Sequence, residues 1–247
     1  MTPCANFLGR KWNLLDLVTA GMFLSVHCLA LFAPFYFTWT AFLVAFWLAF
    51  LTGFGITLSY HRNLAHRSFR VPKLLEYLFA YCGVLALEGS PIEWVSTHRY
   101  HHQFTDTEKD AHSPLKGFWY SHMGWILDSS ILYAVGGLPF LVWGVGVRMV
   151  VVFHITLFVN SAGHTWGYQT WNTGDLSRNL WWLGLLALGE GWHNNHHAFE
   201  YSARQGLEWW QIDLTWYIIK FLEALGLATD VKVPSEAHRK RMALKTE

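Results

Sequence analysis

The stretch from Trp39 to Ser59 reads WTAFLVAFWLAFLTGFGITLS, without a single charge. A run of this kind matches the ~20 residues with which a helix crosses ~30 Å of hydrocarbon. In lipid every backbone polar group must be bonded within the segment, so helix is the form it takes. Leu17 to Phe37 is a second such run, and the link around APFYF is short enough to force a hairpin. Arg10 and Lys11 precede the pair, and Arg62, Arg67, Arg70 and Lys73 follow it. An excess of basic residues marks the cytosolic side, so both flanks are expected there. No signal sequence or transit peptide stands before the hairpin, which makes insertion into the endoplasmic reticulum by the first span the expectation.

Composition agrees with a membrane protein: 53% of residues are hydrophobic, 17% aromatic and only 14% charged. A formal charge of +1 gives no basic surplus to meet phosphates, so nucleic acid is not an expected partner. The three cysteines, Cys4, Cys28 and Cys82, show neither metal-type nor redox-type pairing, so any metal must be held by nitrogen and oxygen. The next apolar run, from Leu74, carries Glu76 and Glu88 and is expected at the interface or inside protein. The tryptophan-rich tail GLEWWQIDLTWYIIKFLEALGL reads either as an interfacial amphipathic helix or as a packed surface helix.

Histidine is concentrated in three groups: HRNLAH (61–66), HRYHH (98–102) and HNNHH (193–197). The pattern H-x-x-H-H is expected about 0.04 times by chance from this composition, and it occurs twice. Residues i, i+3 and i+4 share a helical face, so His98, His101 and His102 are expected at one place, as are His193, His196 and His197. His61 and His66 are five apart. They serve one site only if the helix end unwinds, or else they reach two different metals. Imidazole suits zinc, copper, iron and nickel. Eight histidines exceed the four ligands of one tetrahedral zinc, so two metals fit the count. A redox pair facing apolar chains points to oxygen chemistry on lipid, while hydrolysis at a zinc-type pair stays open on ligand type alone.

These groups, with NSAGH (160–164), DAHSPLKGFWYSHMGW (110–125) and GEGWHNNHHAFEYSARQGLEWW, make the chain resemble the membrane fatty acyl desaturases, above all the plant acyl-CoA delta-9 desaturase-like group related to stearoyl-CoA desaturases. The resemblance covers nearly the whole chain. It implies a di-iron enzyme that uses dioxygen and two electrons to place a cis double bond, at delta-9, in an acyl chain carried on CoA or lipid. Carried over residue by residue, it implies nine metal ligands: His61, His66, His98, His101, His102, His164, His193, His196 and His197. Asn160 matches a residue that holds a metal-bound water, and Trp94 and Thr156 match tunnel-lining positions. His112 and His122 match positions outside the ligand set. His27, His154 and His238 are expected to pack only. Asp106 and Asp110 are candidate acceptors for ligand imidazoles. The electron donor is expected to be a separate cytochrome b-type protein, since no H-P-G-G haem motif occurs. A chloroplast relative acting on palmitoyl-galactolipid at delta-7, with ferredoxin as donor, is the alternative reading, and a truncated, inactive metal-binding protein is another.

The fold expected is all-α, a polytopic membrane protein whose helices carry a cytosolic helical cap with a histidine-rich di-metal site. It forms a single domain over 1–247: a hairpin at 17–37 and 39–59, a cytosolic part at 60–130, a membrane region at 131–163 and a second cytosolic part at 164–247. Only ILDSS (126–130) stands where the family carries most of a third membrane helix. The 33 residues from Ile131 to Gly163 span ~50 Å as helix, too short for two passes. A single pass would carry His164 and HNNHH to the opposite side from the other histidines, and impaired activity is the expectation that follows.

Overall fold

The computed structural model describes residues 14–86, 88, 90–107, 109–110, 139 and 142–244. Among these the chain is helical, with no strand and four isolated β-bridges. One described helix is long and apolar enough to cross a membrane, running 27 residues from Trp39 to Ala65. Its first part is α2 (Trp39–Phe54), started by Thr38, whose side chain accepts from the Ala41 N–H at 3.1 Å. Its second part, Gly55–Ala65, is π-helical, so the HRNLAH group rides on the continuation of the span rather than beginning after it at residue 60. Trp39, Leu43, Phe46, Trp47 and Leu51 form an exposed apolar stripe along α2.

α1 (Leu14–Leu31) ends six residues before the expected limit at Phe37. Pro34 accounts for this, because proline disfavours helix in the residue before it and lacks an N–H to continue the ladder. Residues 32–36 form a turn instead.

A third segment comprises a π-helical stretch, Val142–Val147, then α5 (Arg148–Ser161) and one 3-10 turn, Ala162–His164. It packs against both α1 and α2. At its start the Trp143 indole N–H donates to the Ala33 carbonyl at 3.2 Å, and its ring meets Phe37 and Phe42 edge-on. Gly146 lies against the α1 backbone, where a Cβ would come within 3.0 Å of Ala30 N. Higher up, Met149, Phe153 and Leu157 of α5 form one buried cluster with Phe23 and Val26 of α1. The segment therefore runs from the α1–α2 turn to the histidines.

α3 (Lys73–Val84) is ~18 Å long, too short to cross. It presses on the π-helical stretch where Gly55 meets Gly83. α4 (Pro91–Phe104) opens on a proline, whose missing N–H costs nothing at a first helical position, and carries HRYHH. α6 (Trp181–Leu186) and α7 (His193–Ala198) are short; α7 carries HNNHH. α8 (Leu214–Ala224) is capped by Asp213 and α9 (Glu236–Met242) by Ser235. On α8, Ile219 and Leu222 pack with Leu58, Phe69 and Ala203, while Tyr217 and Phe221 face outward, so the tail is both packed and apolar outside. The family-specific shortening expected at 126–130, and His112 and His122, lie outside the described residues.

Candidate metal centre

All nine expected histidines come together, in two adjoining groups. His61, His66, His98, His102 and His196 form one; His101, His164, His193 and His197 form the other; the ligand atoms of each lie within 4.8 Å of one another. The groups share a wall, with the His102 and His197 rings 4.7 Å apart. Each H-x-x-H-H box is split between them, which corrects the expectation that its histidines meet at one place. One residue turns a helix by ~100°, so i+4 lies ~40° to one side of i and i+3 ~60° to the other. Hence His98 and His102 go together while His101 faces the second group. HNNHH repeats the split with the groups exchanged: His193 and His197 join the second, His196 the first.

His61 and His66 belong to the same group, against the reading that they reach different metals. The local helix neither unwinds nor stays α. In the π-helix the His66 N–H donates to the His61 carbonyl at 3.0 Å, a bond to the fifth preceding residue, which stacks residues five apart on one face. Their ring centroids are 4.8 Å apart.

The rings turn Nε2 inward. Nε2 atoms of His61 and His196 lie 3.1 Å apart, those of His66 and His98 2.9 Å, and those of His164 and His193 2.9 Å. The Nδ1 atoms point outward to carboxylates: His61 to Glu190 at 2.5 Å, His101 to Asp110 at 2.9 Å, His164 to Asp106 at 3.1 Å and His197 to Asp175 at 2.9 Å. A carboxylate accepts the hydrogen bond from Nδ1–H, fixing the proton there and leaving a lone pair on Nε2, as a metal-binding imidazole requires. Burial first, then the neighbouring imidazoles, hold His66, His98, His102, His193 and His196 well below the ordinary imidazole value. Burial lowers His197 to about 4 although Asp175 pulls the other way. Neutral imidazoles with lone pairs facing one another at 2.9–3.1 Å repel unless a cation lies between them. The donor set thus fits two metal ions, one per group.

Asp106 and Asp110 act as the sequence suggested. Glu190, Asp175 and the Glu190 partners Arg62 and Gln205 were missed. Arg62 is buried between Glu190, at 2.9 Å, and Asp213, at 3.0 Å, and Gln205 donates to Glu190 at 2.9 Å. Burial alone would raise the Glu190 carboxyl, but His61 and Arg62 outweigh it and hold it well below the usual carboxylate range. The available signal was the acidic residue three before His193 in GEGWHNNHH; Asp175 sits in a loop that carried no pattern.

An apolar cavity of about 370 Å³ reaches both groups, with His61, His98 and His193 in its wall. Trp94, Thr156 and Asn160 line it. The Trp94 ring stacks on His98, 4.8 Å between centroids, and its N–H donates to Glu88 at 3.2 Å. Glu88 also lines the cavity and was missed; burial raises its carboxyl to about 7, against hydrogen bonds from Thr156 and Trp94. His27, His154 and His238 lie outside both groups. His27 and His154 face each other at 3.1 Å between α1 and α5, and His238 stacks on Tyr201.

The model of the family described as fatty acid desaturase matches residues 126–229. The palmitoyl-monogalactosyldiacylglycerol delta-7 desaturase, chloroplastic, of Arabidopsis thaliana is 55% identical, over 96% of this chain and 74% of its own length. Delta-9 acyl-lipid desaturase 2 of the same plant is 53% identical, over 96% and 90%. The acyl-CoA C20 Delta5-desaturase of Anemone leveillei is 52% identical, over 96% and 88%. The match to the first spans 276 positions, more than the whole 247 residues of this chain, so internal residues present there are lacking here. With this identity along almost its full length, the chain belongs to the fatty acid desaturase family and is an oxidoreductase.

Proposed function

We propose that the chain is a di-iron desaturase that inserts a cis double bond at delta-9 into a saturated acyl chain carried on CoA or lipid. The observation that carries this reading is the contact of two imidazole groups with one apolar cavity. Desaturation removes two hydrogens from CH₂ groups with no activating neighbour, which no side chain can do as acid or base. Dioxygen accepts the two hydrogens, two electrons and two protons, giving two waters. The nine histidines would hold two irons, which supply the oxidising power when bound.

This chain's own residues do the rest. Glu190, Asp110, Asp106 and Asp175 hold the Nδ1 protons and so aim Nε2 inward. Asn160, in the cavity wall, would hold a metal-bound water. Trp94 and Thr156, in the cavity wall, would select which carbon pair reaches the centre, since a misplacement of about 1 Å costs heavily. The apolar lining keeps bulk water out.

As a single domain it would sit in the endoplasmic reticulum membrane as a multi-pass protein, with the histidine groups on the cytosolic side and a separate cytochrome b-type donor. A second reading, a chloroplast palmitoyl-galactolipid delta-7 desaturase fed by ferredoxin, is favoured by the 55% identity to a relative so named. Expression in a desaturase-deficient yeast, with gas chromatography of fatty-acid methyl esters, tests the proposal. A new monounsaturated ester, located at delta-9 by fragmentation, is the expected result. A delta-7 product supports the second reading, and none at all from inserted protein contradicts both.

A further inference from the structure

The five-histidine group meets a second pocket, of about 360 Å³, lined by His66 and His102 together with Arg99, Gln103 and Glu200. His61 and His98, of the same group, line the apolar cavity, so the group lies between two spaces of opposite character. The His66 and His102 rings stand 4.7 Å apart and nearly perpendicular, and their Nε2 atoms lie 2.9 Å from those of His98 and His196. Arg99, Gln103 and Glu200 are exposed, so one side of the pocket is outer surface and the other is imidazole. None of His101, His164, His193 and His197 lines it.

The carboxylates behind the histidines make the same distinction. Glu200 lies 3.5 Å from His102 Nδ1, with its side chain 56% exposed. The side chains of Glu190, Asp110, Asp106 and Asp175, behind His61, His101, His164 and His197, are at most 12% exposed. Arg99 donates to the Ala65 and Leu64 carbonyls, both at 2.9 Å, which fixes its guanidinium in the pocket wall.

We infer that this polar pocket is the port through which the five-histidine group takes up and gives back its metal ion, while the four-histidine group exchanges more slowly. The port rests on the two-metal reading of the centre and adds that the two positions are unequal. A metal site needs an entry path. Moving a cation from water into apolar surroundings carries a heavy penalty, so the apolar cavity, walled by residues such as Phe50 and Ile56, is a poor route for a hydrated divalent ion. In the polar pocket the Glu200 carboxylate attracts the ion at the surface, and His66 and His102 are the first ligands to replace its waters.

Metal exchange tests the port without requiring turnover. The full chain, loaded anaerobically with ferrous iron in detergent micelles, is mixed with a sulfonated ferrous chelator that stays in water, and the colour is followed in time. Release is expected in two phases of equal size, the slower of them missing from His101→Ala. Gln103 is exposed on α4, so Gln103→Trp fills the pocket without touching the core. A narrowed path raises the barrier and leaves both end states alone. Fast-phase release and uptake by iron-free protein should therefore slow by the same factor, about tenfold, or ~1.4 kcal/mol of barrier, at unchanged affinity. Gln103→Cys, modified with a bulky maleimide after folding and loading, should slow release alike, with the wild type so treated as control. A single phase, a fast phase carried by the four-histidine group, or rates that neither Gln103 variant changes overturns the proposal. So does slower release matched by tighter binding, which would make Gln103 a positioning residue. If the chain holds no iron, the two-metal reading falls with the port; if the port behaves as expected and yeast forms no double bond, the desaturase reading falls alone.

Discussion

At the scale of single residues, Glu190 shows how much of the centre lies behind the histidines. It accepts from His61 and is anchored by Arg62 and Gln205, all buried. Glu190→Gln keeps the shape but removes the charge that holds the His61 proton, so metal affinity of the five-histidine group is expected to fall 10–100-fold. Competition with a chelator measures this, and the four-histidine group should be affected less. Glu88 carries the pH dependence. Burial raises its carboxyl from 4.5 to about 7 in the folded protein, so the stability linked to its neutral form is complete below about 4.5 and is lost as pH rises through about 7. Glu88→Gln cannot ionise. Its melting temperature should match the wild type near pH 5 and exceed it by pH 8. The histidine boxes were legible because two H-x-x-H-H patterns are improbable by chance. Their split was not, because spacing says which residues are near one face and leaves open how many centres that face meets. His164 could be found only through the resemblance, since a lone histidine in an apolar segment has no partner in the sequence.

At the scale of elements, the π-helical stretch Gly55–Ala65 is what sequence periodicity misplaced. Counting at 3.6 residues per turn puts His61 and His66 off a common face, and nothing local in GITLSYHRNLA announces bonds to the fifth residue. A long-range fit accompanies it: at Gly55 a Cβ would lie 2.2 Å from Gly83 N and 2.4 Å from the Cys82 carbonyl carbon, both backbone atoms that cannot step aside. Gly55→Ala is therefore expected to push α3 away and destabilise by about 1–3 kcal/mol, the usual cost of overpacking. Gly21→Ala, in α1 with nothing within 4 Å, is the control and should stay within about 0.5 kcal/mol. Thermal unfolding of the two purified variants checks the contrast. α3 itself was legible, since Glu76 and Glu88 bracket a stretch too short to span.

At the scale of the whole molecule, the difficulty was parity. Taking Ile131 to Gly163 as one unit suggested a single pass carrying His164 and HNNHH away from the other histidines. The described part of that unit does run once, ~30 Å from Trp143 beside Ala33 to His164. Its direction is toward the histidines, and His164 meets Asp106 and His193 there. The expected separation of His164 and HNNHH from the other histidines does not hold among the described residues: where this segment begins is set by tertiary contacts such as Trp143 on the α1–α2 turn, which hydropathy does not record. Residues 111–138, 140 and 141, between Asp110 and Trp143 in the sequence, lie outside the described residues. This shortened chain is expected still to build a complete two-metal centre. Iron per chain, measured by elemental mass spectrometry on protein purified from iron-supplemented membranes, tests it most directly: about two in the wild type, since nine nitrogen ligands exceed what one ion can use, falling to about one in His101→Ala. A wild-type value of one, unchanged by His101→Ala, would contradict it.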